Sequence, residues 1–115
     1  MAERDERLYL ADICDAIERV LVYTAKGRDA FFADPMMQDA VARNLEIMGE
    51  AVKGLSQATR DSHPEVPWKK ITATRDRVIH GYFGVDLDIV WEIVEKELPA
   101  LREKIVSLPT PKDVP

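Results

Sequence analysis

The chain has 115 residues and a mass of 13.1 kDa, with 46% hydrophobic and 32% charged residues. That balance excludes a disordered chain and predicts one domain over 1–115. The net charge of -5 argues against a protein that coats duplex DNA by bulk electrostatics. The lone Cys14 excludes an internal disulfide framework, and no Cys/His cluster has zinc-ligand spacing. No apolar run approaches the roughly 20 residues that span a bilayer, and the charged start MAERDER does not read as a signal peptide. A cytoplasmic protein without a membrane partner is the expectation.

Helical periodicity runs through the whole chain. Leu10, Cys14, Ile17, Leu21 and Thr24 recur every three or four residues and predict a helix over about 5–26, ended near Gly27. Asp34-Pro35 is a start signal, with Asp as N-cap and Pro at the first helical position. Met37, Val41, Leu45, Met48, Val52 and Leu55 carry a second helix to about residue 57. The polar stretch SQATRDSHPEVP reads as a connector. Pro67 opens a third helix, whose far end is weakened by Gly81 and Gly84. After the turn FGVD, Leu87, Trp91, Val94, Leu98, Leu101, Ile105 and Leu108 form a heptad-like seam in a fourth helix. Pro99 sits inside that seam and is expected to bend it. The tail 109–115 holds three prolines and reads as a flexible end. The expected fold class is all-α, an up-and-down bundle.

Chemistry concentrates between Trp68 and Trp91. On a wheel of about 100° per residue, Trp68, Ile71, Val78 and Ile79 fall within about 60° of Arg75, which centres Arg75 on the apolar face. Tyr82 lies above it. Asp76 and His80 share the edge of that face, while Lys70 and Arg77 point to solvent. An arginine on an apolar stripe is costly unless it is paired or faces a wet cleft. Arg75, Asp76 and His80 together form a set able to handle a phosphodiester. Arg neutralises phosphate oxygens, His moves a proton near neutral pH, and Asp orients the His. The same region is the chain's only locally basic stretch. Arg60, Lys69, Lys70, Arg75 and Arg77 stand there against Asp61, Glu65 and Asp76.

These residues carry a resemblance. Arg75 to His80, followed by Gly81 and Tyr82, resembles the Arg-x4-His-x-Tyr motif of HepT-like HEPN-domain ribonucleases. Flanking segments are similar too: LEIMGEA in the second helix, VPW before the third, HGYFGVD after it, and WEIV with Leu98-Pro99 in the fourth. The resemblance implies a dimeric bundle of four to five helices. It also implies a metal-independent endoribonuclease toxin that needs no cofactor, with Arg75, His80 and Asp76 as its catalytic set. The implied partners are an RNA substrate and an MNT-type nucleotidyltransferase antitoxin that transfers AMP from ATP to Tyr82. One position departs from the family pattern: Asp76 stands where Asn usually follows the motif arginine. That carboxylate is expected to raise the pKa of His80, and it also repels a phosphate. It favours the alternative reading, a catalytically inactive HEPN module that binds a nucleotidyltransferase or nucleic acid.

The remaining candidates read as structural. His63 is expected at the surface, Cys14 as a small core residue, and Met36, Met37 and Met48 as core filler. The acidic face of the fourth helix reads as solvated. Asn44 falls within the apolar face of the second helix, as a possible partner for the third.

Overall fold

A computed structural model describes residues 5–78 and 84–108. Every regular element among them is helical, in the order α1 (Glu6–Tyr23), α2 (Arg28–Ala33), α3 (Pro35–Lys53), α4 (Gln57–Ser62), α5 (Trp68–Thr72), α6 (Thr74–Val78) and α7 (Leu87–Glu92). A π-helical stretch, Ile93–Glu97, then joins α7 to α8 (Leu98–Val106). The all-α expectation holds. The tail 109–115 lies outside the described residues.

The two long helices are set by their caps. The Asp5 carboxylate accepts from the Arg7 N–H and starts α1. The Asp34 carboxylate accepts from the N–H groups of Met36 (3.0 Å) and Met37 (3.2 Å), and Pro35 has no N–H to satisfy. Both helices stop earlier than the periodicity alone implied, at Tyr23 and Lys53. They pack antiparallel: the start of α1 meets the end of α3, with the Tyr9 ring against Gly54 and the Glu6 carboxylate bonded to the Ser56 N–H and the Thr59 hydroxyl. Their facing stripes supply Leu10, Ile13, Ile17, Val20, Val41, Leu45, Met48 and Val52 to one core, closed by Phe31, Val78, Leu98 and Ile105.

Two short helices fall outside the helices expected from periodicity. Residues 28–33 form α2, which turns Phe31 wholly inward. Within SQATRDSHPEVP, Ser56 caps α4 through Thr59 N–H at 3.1 Å. Both are too short to show a helical period. Met36 is 83% exposed, a correction to its reading as core filler, whereas Met48 is buried. Cys14 is half-buried against the core, and His63 stands 3.7 Å from Glu65. Asn44 is buried but does not bridge to the third helix: its amide N–H donates to the Ala40 carbonyl of its own helix at 2.8 Å.

Pro99 acts through a wide turn. In a regular α-helix its ring would collide with the carbonyl four residues back, at Glu95. Here the Leu98 N–H reaches the Ile93 carbonyl, five residues back, and the helix widens to admit the ring.

Candidate active site around the third helical segment

The third helical segment is held from two sides. Gly49 lets α3 approach closely: a Cβ there would stand 3.2 Å from the Ile71 carbonyl oxygen. On the far side, Trp68 is anchored by its indole N–H, which donates to the carbonyls of Arg60 (3.1 Å) and His63 (3.0 Å). The segment is also not one helix. α5 ends at Ala73, and α6 starts anew at Thr74.

That layout corrects the wheel. The buried positions are Trp68, Ile71, Thr74 and Val78. Thr74 occupies the place expected for Arg75, with its hydroxyl satisfied by the Lys70 carbonyl at 3.1 Å. Arg75 and Asp76 are both exposed. The cost of an arginine on an apolar stripe therefore does not arise at Arg75. Arg77, expected in solvent, is instead half-buried. Its guanidinium donates to both oxygens of Glu97, at 2.9 and 2.7 Å, and Lys70 Nζ stands 3.5 Å from the same carboxylate. The error came from centring the face on Arg75, when the buried residues span an arc of about 120° centred near Ile71, and from reading the acidic face of the fourth helix as solvated. A surplus of acid there was a usable signal for an inward carboxylate.

His80 and Tyr82 lie outside the described residues. The positions on either side of them are described. Val78 is fully buried, and its carbonyl accepts from the Asp86 N–H at 2.6 Å. Gly84 adopts φ +74°, a left-handed conformation that suits glycine. Asp86 then caps α7 through the Ile89 N–H at 3.1 Å. The two motif residues thus fall between a clamped helix and a capped one.

Glu97 reports on this clamp. The hydrogen bonds from Arg77 hold its carboxyl below the ordinary 4.5, against a smaller opposing effect of burial, and the charges of Arg77 and Lys70 add to the lowering. A depressed folded-state pKa contributes stability that is present above 4.5 and lost as pH falls through the folded value. Glu97→Gln should therefore cost about 1.5–3 kcal/mol at pH 7. The gap from wild type should narrow steadily below pH 4.5. Urea unfolding at pH 7 and at successive acidic pH values checks both; a gap independent of pH would remove the charge from the account.

The description Ribonuclease HepT-like belongs to the family that matches residues 13–108. A protein of Methanocaldococcus jannaschii named "Gamma-glutamylcyclotransferase and putative RNase" is 42% identical over 106 residues, 91% of this chain and 48% of the relative. This chain thus spans about half the length of that relative. The "Probable ribonuclease HepT" of Thermococcus cleftensis is 39% identical over 107 residues, 92% of this chain and 97% of the relative. A "Putative RNase" of Caldanaerobacter subterraneus is 44% identical over 104 residues, 89% of this chain and 92% of the relative. No solved structure matches the chain. Among the described residues, no helix is long and apolar enough to cross a membrane. The chain belongs to the HepT-like ribonuclease family, and the enzyme class expected from its sequence is the class of that family, ribonuclease.

Proposed function

We propose that the chain is the endoribonuclease toxin of a toxin–antitoxin pair, acting as one cytoplasmic domain over 1–115 without a metal. The observation that carries this reading is the Arg75-x4-His80-x-Tyr82 spacing within a chain of the HepT-like ribonuclease family. The exposure of Arg75 and Asp76 supports it, since both are open to a large polyanion.

The chemistry follows from the residue types. The ribose 2′-hydroxyl attacks the adjacent phosphorus, forming a 2′-oxygen–phosphorus bond. The bond to the 5′-oxygen breaks. His80 takes the proton of the 2′-hydroxyl and returns one to the departing 5′-oxygen, leaving a cyclic phosphate. Arg75 neutralises the charge that develops on the phosphate oxygens. Asp76 is a positioning residue that holds the tautomer of His80. Arg75→Ala and His80→Ala should each lower RNA cleavage on the order of 10²–10³-fold or more while the protein stays folded. Cleavage by wild type should survive EDTA. Gel analysis of RNA integrity, with circular dichroism for folding, tests both; equal cleavage by wild type and His80→Ala would remove His80 from the reaction and favour the binding module that Asp76 suggests.

The active form is proposed to be a homodimer that brings two such sets together. Its support is the family resemblance, because the exposed Arg75 no longer demands a second copy. Light scattering at micromolar concentration decides it, and a monomer would remove the pairing.

Tyr82 is proposed as the control point for a nucleotidyltransferase antitoxin. Transfer of AMP from ATP forms a bond between the tyrosine oxygen and the α-phosphorus and releases pyrophosphate. The added phosphate resembles the RNA backbone, so it competes for Arg75 and blocks the strand. Tyr82→Phe should stay folded and active but escape neutralisation by the co-expressed partner. Mass spectrometry should show AMP additions on the Tyr82 peptide. An unmodified Tyr82 in a fully neutralised complex would mean inhibition by binding alone.

A further inference from the structure

Outside the motif, the basic stretch is built into a groove. Between α4 and the start of α5 lies an open groove of about 570 Å³, lined by Arg60, Trp68, Lys69, Lys70 and the prolines Pro64 and Pro67. One acid, Asp61, also lines it, and its carboxylate accepts from the Gln57 amide at 2.8 Å. The excess of cations is local, since the chain as a whole carries -5.

Arg60 is the unusual member. Its Nε–H is shut off from solvent and meets no acceptor among the described residues. Among those residues, no carboxylate pairs with its guanidinium, and none pairs with the exposed Lys69 ammonium. Uncompensated positive charge on a partly buried arginine is costly and is relieved by an anion. The wall beside it is rigid, because the Trp68 indole is pinned to the Arg60 and His63 carbonyls. The exposed prolines Pro64 and Pro67 add an apolar surface next to the cations. That combination suits a single nucleic-acid strand, whose phosphates take the cations while a base lies on the apolar wall.

Chain order ties the groove to the motif. Lys69 on α5 precedes Arg75 on the next helix, α6, by only six residues, so the groove and the motif are neighbours along the chain.

We infer that the α4–α5 groove is a subsite for the RNA strand beside the cleaved bond, with Arg60 and Lys69 as its phosphate contacts. The inference rests on the ribonuclease reading and extends it to a surface outside the motif. The probe is an uncleavable 2′-O-methyl RNA oligonucleotide, titrated by fluorescence anisotropy across a salt series. Each phosphate contact to a single strand contributes about 0.7 to the slope of log affinity against log salt. The pair Arg60→Gln/Lys69→Gln should flatten that slope by about 1.4, and KM for cleavable RNA should rise. Lys69→Gln alone, at an exposed position where misfolding is no concern, should flatten it by about 0.7. A control pair of equal charge, Lys26→Gln/Arg43→Gln, should leave the slope unchanged. Equal flattening by the control, or none by the groove variants, overturns the subsite while wild-type cleavage keeps the ribonuclease reading standing. Groove variants that keep the RNA slope but release a co-expressed nucleotidyltransferase assign the groove to that protein and overturn the RNA subsite. A wild type that neither binds nor cuts RNA overturns both.

Discussion

The pairing of Arg77 with Glu97 fixes the helix that carries Arg75 and Asp76. Five residues of α6 are too few to hold themselves, since a lone turn of helix is unfavourable in water. The two-pronged contact ties that turn to the wide stretch before α8, and Lys70 joins the same carboxylate from α5. With one flank held by charge and the inner face held by Thr74 and Val78, Arg75 and Asp76 are left as the outward residues. The division of labour between adjacent arginines follows from this: Arg77 is structural, and Arg75 is available.

Close packing supplies the second constraint. Gly49 brings the backbone of α3 against the end of α5 without a side chain between them. That approach leaves little freedom for α5 to slide, so the break at Ala73 sits at a fixed height in the bundle. The Trp68 indole does the same work at the other end of α5 by reaching back to two carbonyls of the preceding segment.

Much of this was legible in the amino-acid sequence. The cap Asp34, the seam from Leu98 to Ile105 and the all-α class follow from spacing and from capping chemistry. The α2 and α4 helices did not, because six residues make less than two turns and carry no period. The orientation of Arg75 was misjudged for a different reason. The wheel was centred on Arg75, whereas the face that is buried, with Trp68, Ile71, Thr74 and Val78, is centred nearer Ile71. The partner of Arg77 lies 20 residues along the chain, beyond the reach of any local pattern. The spacing of Arg75, His80 and Tyr82 belongs to the sequence alone and does not depend on where the helix turns.

The π-helical stretch has a consequence for the length of the chain. A wide turn is, in effect, one residue more than an α-helix of the same rise would hold. That stretch lies inside the core run: Ile93 and Val94 within it and Leu98, Leu101 and Ile105 after it all reach the same core. The Pro99 ring and the surplus residue are therefore matched to one another. Removing the surplus residue alone would restore the regular turn with which the Pro99 ring collides, whereas losing it together with the proline would return a plain α-helix. The two features form a single unit of inheritance, one in which a deletion within the stretch is tolerable only with a substitution of Pro99.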